Sequence, residues 1–370
     1  MAPLGRISWM GQVDAVLASV SDMLYSWGLM WLLIGAGIFF TVRTRGVQVR
    51  HTDAIAASVI GSRDGSHGGI TSFQAFAVGL ACRVGTGNIV GVALALILGG
   101  PGAVLWMWLV AILGTATAFS EATLAQLFKV RRPDGTFRGG PAYYISRGLG
   151  LPILGGVFAV VFLIANGLVM PMVQANAITA SLQGAGGLSP SLGAVLVVAL
   201  TAPVLLGGLR AMARVAEYLA PFMALAYLVL VLAILLTHPV QALEALTSII
   251  EGAFGLRQGL GGLAGGVTAA LLNGVRRGLF SNEAGLGGAA CAAGSATVSH
   301  PVQQGFIQAF GVVVDTLFVC TATALAILVA GADVLQPGAS AKESAGTLTQ
   351  DAIAHLVGEW SRWPMALLVV

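Results

Sequence analysis

An apolar stretch between residues 70 and 99 is interrupted in its middle by the six residues from Arg83 to Asn88, which include Gly85 and Gly87. Glycine weakens a helix, and hydrocarbon offers no partner to a loosened backbone, so we expect the membrane helix to break here. A broken helix at bilayer depth is tolerated only where its freed N–H and C=O groups face protein, water or a bound solute. The interruption therefore predicts a binding site.

Composition places this stretch in a membrane. Apolar residues make up 57% of the 370 residues and charged residues 9%, which excludes an ordinary soluble domain and predicts an all-α polytopic protein in a lipid bilayer. The formal net charge is only +3 and the basic residues are spread among short loops, so no nucleic-acid partner is expected. The three cysteines lack metal or redox spacing, so we predict neither a cofactor nor a disulfide framework.

Spans of about 20 residues divide the chain into a series of membrane segments. One of them, 260–295, is too long for a single simple span and is interrupted near residues 281–285. We predict spans at 26–43, 70–99, 103–128, 152–183, 189–208, 213–237, 260–295 and 303–331, and the start of another at 365–370.

The distribution of Lys and Arg predicts how these spans are oriented. Loops 43–70, 129–148 and 208–214 hold eleven basic residues, whereas the N-terminus and the loops on the other side hold four. The positive-inside bias places the first set in the cytoplasm and the N-terminus outside. By this orientation the two interrupted segments enter the membrane from opposite sides, which is typical of an inverted-repeat transporter with its site at the midplane.

The residues at the first break suit a zwitterion and a small cation. Gly85, Thr86 and Gly87 present unwound backbone, and Asn88 opens the outer half-helix. A half-helix N-terminus carries partial positive charge and free N–H donors that suit a carboxylate, while unwound carbonyls suit a cation. The alternative is a kink that only packs closely against a neighbouring helix.

The second break combines three polar side chains, Ser281, Asn282 and Glu283, with glycines such as Gly285. Ser281 and Asn282 can bond a substrate. We expect Glu283 to form a structural salt bridge rather than to carry a transported proton, because basic residues lie close by in sequence. Its candidate partners are Arg83, Arg276 and Arg277.

Polar groups inside other spans are further candidates. Gln174 and Asn176 lie mid-span but face different directions, and buried amides commonly bond neighbouring helices. Asp315 and Thr316 could coordinate an ion, although threonine often bonds its own helix.

Several motifs, taken in order, resemble those of the alanine or glycine:cation symporter family, also called the sodium:alanine symporters. They are Arg83-Val84-Gly85-Thr86-Gly87-Asn88-Ile89, Gly99-Gly100-Pro101-Gly102-Ala103 followed by Trp106-Met107-Trp108, Gly139-Gly140-Pro141-Ala142-Tyr143-Tyr144-Ile145, Met172-Val173-Gln174-Ala175-Asn176, Arg277-Gly278-Leu279-Phe280-Ser281-Asn282-Glu283-Ala284-Gly285, and Asp315-Thr316 with Val319-Cys320-Thr321-Ala322-Thr323-Ala324-Leu325. The resemblance covers the chain from about residue 25 to its end.

The resemblance implies a leucine-transporter-like inverted-repeat fold of the APC superfamily. Within one transport domain, 1–370, it implies an extra helix at 26–43, a first five-helix repeat at 70–237 and a partial second repeat at 260–370. It also implies uptake of alanine, glycine or a similar small neutral amino acid through the inner, plasma membrane, driven by sodium or protons.

Carried over position by position, the resemblance assigns roles to individual residues. Substrate contacts are Gly85, Thr86, Gly87, Asn88, Gln174, Ser281, Asn282 and Gly285. Cation contacts are Val84, Gly85, Asn88 and Thr316. Structural charge pairs draw on Arg83, Glu283, Arg277 and Asp315.

Proteins of that family continue for several further helices. The resemblance therefore implies that this sequence is truncated at its C-terminus, with the second repeat incomplete and the remaining sodium ligands in helices that it lacks. A truncated product that binds amino acids without transporting them is the corresponding alternative.

Other classes of function fit the residues less well. An intramembrane enzyme would need a group that activates Ser281 or Glu283, and neither a suitably spaced base nor a metal-ligand cluster occurs, so we do not predict an enzyme. A binding-only sensor or a channel of the same fold stays open.

Overall fold

The computed structural model describes residues 4–61, 69–85, 87–255, 263–335 and 345–369. These residues are helical apart from one short β-hairpin and the connecting turns. The helices are α1 (4–43), α2 (Val47–Arg50), α3 (Thr52–Ile60), α4 (Ser72–Arg83), α5 (Gly87–Gly99), α6 (Ala103–Leu127), α7 (141–148), α8 (Pro152–Gly186), α9 (Pro190–Leu206), α10 (Gly208–Thr237), α11 (Pro239–Ala253), α12 (Leu263–Asn282), α13 (Gly288–Gly294), α14 (Pro301–Ala330), α15 (Leu348–Val357) and α16 (Arg362–Val369). The antiparallel strands β1 (Val130–Arg131) and β2 (Phe137–Arg138) lie between α6 and α7.

Five of the described helices are long and apolar enough to cross a membrane, and the bent pair of α4 and α5 makes a sixth span when taken together. Large apolar side chains on the outer helices point away from the protein: Ile153 on α8 is 84% exposed and Leu206 on α9 is 89% exposed. Such faces need lipid around them, because a large apolar surface is costly to expose to water. The helices can lie in lipid because their backbone polar groups are paired internally. The chain is an all-α polytopic membrane protein, as its composition predicts.

The largest buried cluster brings together α5, α6, α10, α11, α14 and α15. It includes Val92, Met107, Val231, Ile249 and Ile327, each no more than 2% exposed. Small residues allow this close packing, because glycines and alanines let the helix backbones approach one another. A Cβ on Gly278 of α12 would lie 3.1 Å from the Cα of Met107 on α6.

Three boundaries differ from the sequence prediction. The N-terminal helix begins by residue 4 rather than at 26, and α10 begins at Gly208 rather than at 213. The predicted cytoplasmic loop 208–214 is therefore helical, because charged residues at a helix end can reach the interface while their backbone stays helical. Between the predicted spans 213–237 and 260–295, where no element was predicted, lies α11, whose apolar residues recur every four positions and are buried at Ala245, Ile249 and Ala253.

Both predicted interruptions are present. The axes of α4 and α5 differ by 45° across the first break, where Val84 is extended. In the second break, α12 ends at Asn282 and α13 begins at Gly288. The turn between them has positive φ at Glu283 (52°), Gly285 (91°) and Gly287 (96°), and a left-handed conformation at a non-glycine residue is uncommon.

One end of each broken segment is joined to the other by backbone pairing. Ile70, just before α4, forms a parallel bridge with Ala296, just after α13, and the Thr297 N–H donates to the Ile70 carbonyl at 3.0 Å. Lys129, just after the end of α6, reinforces the link between Ile70 and Ala296. Its Nζ donates to the Ala296 carbonyl at 2.7 Å and lies 4.4 Å from the centre of the Phe137 ring.

Burial lowers the pKa of Lys129 to about 8, below the value of about 10.4 for a solvated lysine. The cost of burying the charged ammonium is therefore present at pH 7 and is relieved between about pH 8 and 10.4. We predict that the wild-type thermal midpoint rises relative to that of Lys129→Met as the pH increases from 7 to 10. Scanning fluorimetry in detergent measures this difference, and a difference that is the same at every pH contradicts the prediction.

Candidate functional site

The two helix breaks lie directly against each other. A Cβ built on Gly87 in the first break would lie 3.4 Å from the Cα of Ser281 in the second and 3.6 Å from a ring carbon of Phe280. A residue at position 87 is therefore in van der Waals contact with the second break. Segments that are almost 200 residues apart in sequence therefore form one junction.

Asp315 on α14 links the two breaks at this junction. Its carboxylate accepts from Asn88 Nδ2 at 2.7 Å, from Ser281 Oγ at 2.9 Å and from Thr316 Oγ1 at 2.7 Å. Each of these four side chains is no more than 1% exposed. The three donors fix the position of this buried carboxylate between the breaks.

Arg83, at the end of α4, also links the first break to α12 and α14. Its Nε donates to the Asn282 carbonyl at 3.0 Å, and its Nη1 donates to Gln308 Oε1 on α14 at 3.0 Å. The side chain is 2% exposed. Since Asn282 is the last residue of α12, the guanidinium lies where the helix dipole favours a positive charge.

Gln174 on α8 lies against the first break. A Cβ built on Gly85 would be 2.9 Å from Gln174 Nε2, while the Gly85 N–H donates to Asn88 Oδ1 at 3.3 Å. Val84 is partly buried beside them. Thr86, also predicted at this site, lies outside the described residues.

The structure brings together most of the predicted site residues but arranges the charges differently. Among the described residues, no basic nitrogen lies within 4.0 Å of a Glu283 or Asp315 carboxylate oxygen. The predicted pairing of Glu283 with Arg83 is therefore wrong in this conformation, because the guanidinium donates to a carbonyl and an amide instead. Arg276 also differs, since its Nη1 pairs with Asp22 on α1 at 2.8 Å. Arg277, on the same helix, belongs to no ion pair among the described residues.

The second break has its own partners away from the junction. Gly285 donates its N–H to Glu121 Oε2 on α6 at 3.0 Å, and a Cβ on Gly285 would lie 3.1 Å from Leu33 on α1. Gly285 thus contacts α1 and α6. Asn282 is fully buried, and its Oδ1 accepts from the Ala284 N–H at 2.9 Å.

Two residues at the site were not assigned a role from the sequence. Glu121 accepts a hydrogen bond from Gly285 in the second break, and Gln308 accepts one from Arg83. Each lies on a helix that is far in sequence from its partner. The only sequence signal for Glu121 is an acidic residue at bilayer depth, which is a functional candidate by itself. Asp315 was predicted as one member of a charge pair, whereas the structure makes it the acceptor that joins the breaks.

The junction brings polar groups together inside a membrane protein. It holds backbone outside regular helix at two breaks, an ionisable carboxylate, and hydroxyl and amide groups. Within the described ranges no three His, Cys, Asp or Glu residues are placed to hold a metal ion as a cluster. The arrangement places polar groups between discontinuous helices, where secondary transporters commonly bind their solutes.

This arrangement agrees with the family to which the sequence can be matched. Residues 10–370 match the family model described as the sodium:alanine symporter family. The chain belongs to the sodium:alanine symporter family. Members of this family are transporters. The chain is therefore a cation-coupled amino-acid symporter, and its role is transport, which is not enzymatic.

Named relatives agree in class and differ in the amino acid. The chain is 41% identical over 359 residues to the "Probable sodium/glutamine symporter GlnT" of Bacillus subtilis, covering 97% of this chain and 73% of that protein. It is 42% identical to the Bacillus subtilis amino-acid carrier protein AlsT, covering 92% and 70%. It is 39% identical to the sodium/alanine symporter AgcS of Methanococcus maripaludis, covering 83% and 69%.

The buried position of Arg83 predicts a large effect on stability. Lysine cannot reach both acceptors of the guanidinium, so Arg83→Lys leaves one buried oxygen unpaired and lowers the free energy of unfolding by about 2 kcal/mol. Arg276→Lys is the matched control, and its exposed partner Asp22 limits the loss to less than about 1 kcal/mol. Unfolding in mixed micelles measures both values. Equal losses would contradict the bracing role of Arg83.

Proposed function

We propose that the protein is a secondary active symporter that imports alanine, glycine or a similar small neutral amino acid together with sodium, or with protons, by alternating access. The observation that carries this proposal is the contact between the two helix breaks, at which a Cβ on Gly87 would lie 3.4 Å from Ser281. A zwitterion needs donors for its carboxylate and acceptors for its ammonium group, and two opposed breaks offer both.

The amino acid is assigned to the side of the junction formed by Gly85 to Asn88, Gln174 and Ser281 to Gly285. Gly85 and Gly87 keep the first break free of side chains, so that a carboxylate can reach the backbone N–H groups. The Gln174 amide, next to Gly85, can bond the same ligand. Close packing at the junction disfavours a large ligand side chain, which supports alanine or glycine over larger amino acids.

The coupling ion is assigned to the oxygen atoms around Asp315. Rotation of the Ser281 and Thr316 hydroxyl hydrogens away from Asp315 would leave both oxygens and the carboxylate available to one cation, together with carbonyls of Val84 and Gly85 and the Asn88 amide. Such a cation would bind both breaks at once. Its presence would therefore order the site for the amino acid, which is a physical basis for coupling.

The wider arrangement is proposed on the same basis. Helices of 70–237 would form the first five-helix repeat and those of 260–370 part of the second, in a leucine-transporter-like fold with an extra N-terminal helix. One broken helix in each part, meeting at the site, supports this division. The excess of basic residues in 43–70 and 129–148 supports a plasma-membrane orientation with the N-terminus outside.

Uptake into proteoliposomes tests the function. We expect the reconstituted protein to accumulate alanine when an inward sodium gradient is imposed and to lose the accumulated alanine when the gradient is collapsed. Replacing the sodium gradient by a proton gradient identifies the coupling ion, and competition by glycine and glutamine ranks the substrates. Absence of uptake under both gradients, for all small neutral amino acids, contradicts the proposal. Cation currents without solute coupling would indicate a channel.

Single substitutions test the assigned site. Asn88→Ala and Gln174→Ala each remove a bond to the amino acid or its cation, so we expect alanine affinity to fall about tenfold or more. Asn176→Ala is the matched control, because this amide is exposed two residues from Gln174 on the same helix. Equilibrium binding of radiolabelled alanine to purified protein measures all three. Unchanged affinity in both site variants would reject the assignment.

A further inference from the structure

The buried charges of the protein do not balance. Four side chains of Asp, Glu, Lys or Arg in the described ranges are more than nine-tenths buried, and three of them are acidic. They are Arg83, Glu121, Glu283 and Asp315. One positive charge against three negative charges leaves an excess of two negative charges when all are ionised. Uncompensated charge is costly at this depth, so the occupied protein needs about two further positive charges, carried by bound cations or by protons.

A cation at Asp315 would supply only one of these two positive charges. Glu121 and Glu283 lie instead against the turn between α12 and α13. Glu121 Oε2 accepts from the Gly285 N–H at 3.0 Å, whereas its Oε1 is buried with no hydrogen-bond partner. Glu283 Oε2 is likewise buried without a partner, and among the described residues neither carboxylate has a basic nitrogen within 4.0 Å.

Gly288 lies beside one of these oxygens. A Cβ built on Gly288 would lie 3.0 Å from Glu283 Oε2 and 4.0 Å from Asn166 Oδ1 on α8. The unpartnered carboxylate oxygen and a neutral amide oxygen therefore both border the backbone at Gly288. Carboxylate and amide oxygens are the ligands that hard cations prefer, and the turn that they surround is already free of helical hydrogen bonds.

We propose that Glu121 and Glu283 hold a second monovalent cation of the sodium class at the turn 283–288, separate from the cation at Asp315. This inference rests on the proposed symport function. The second cation would neutralise the acidic excess and fix the turn that follows Ser281. Two cations would then order the second break from both sides, at Ser281 through Asp315 and at Gly285 through Glu121.

Direct sodium binding tests the second site without requiring transport. Radioactive sodium bound to purified protein in a scintillation proximity assay should saturate at about two ions per wild-type chain, by the charge balance above. Glu121→Gln and Glu283→Gln should each bind about one, since either removes a carboxylate ligand. Glutamine at position 121 can still accept from Gly285, so the turn keeps its support. Gly288→Ala should weaken sodium binding because its methyl group would crowd Glu283 Oε2.

Matched variants separate the two cations and control for folding. Asp315→Asn should also bind about one sodium ion, and combining it with Glu121→Gln should abolish binding. Glu244→Gln changes an exposed acidic residue on α11 and should bind as wild type does. Circular dichroism and a single gel-filtration peak establish that each variant is folded.

The outcomes distinguish this inference from the function on which it rests. A wild-type protein that accumulates alanine with sodium but binds equal sodium in the Glu121 and Glu283 variants overturns the second site and leaves symport intact. The same holds if these carboxylates take up protons and the sodium count is unaffected. A wild-type protein that neither binds sodium nor accumulates alanine overturns the proposed function itself.

Discussion

Backbone groups freed by a break in a membrane helix must find partners inside the protein, because hydrocarbon supplies none. Here the two breaks meet, and the carboxylate of Asp315 accepts from Asn88 on one and from Ser281 on the other. The position of α14 between the two broken helices follows from these bonds. Arg83 adds a second link, since it donates to the end of α12 and to Gln308 on α14.

A charged side chain buried in a membrane protein, like an unpaired backbone group, needs a partner inside the protein. An acidic group without an adjacent basic side chain is stabilised by a positive charge that comes close to it, which is why we propose a coupling cation at Asp315. The hydrogen bonds to Asp315 position its oxygens without neutralising them. The proposed site therefore combines a geometry set by hydrogen bonds with acidic charge that a coupling ion would neutralise.

The ends of the broken segments are buried as their centres are. Ile70 and Ala296, which are joined by backbone pairing, are 1% and 0% exposed, and Lys129 donates to the Ala296 carbonyl. Backbone groups buried in this way need partners inside the protein, just as the groups freed at the breaks do. The link between residues 70 and 296 is therefore a second connection between the two broken segments, in addition to the one through Asp315.

The membrane class, most spans, both helix interruptions and the family follow from the sequence, because hydropathy and helix-breaking residues act locally and the family motifs are continuous runs. Boundaries at charged helix ends do not, since a charge near the interface does not end a helix. The amphipathic pattern of α11 is present in the sequence, but the segment is too polar to be recognised as a membrane span. Only the tertiary structure decided which buried polar groups meet. It placed Arg83 against a carbonyl and an amide rather than Glu283, and Glu121 against the turn at Gly285. Those partners come from segments far apart in the chain, and their pairing depends on how whole helices pack, which local sequence does not encode.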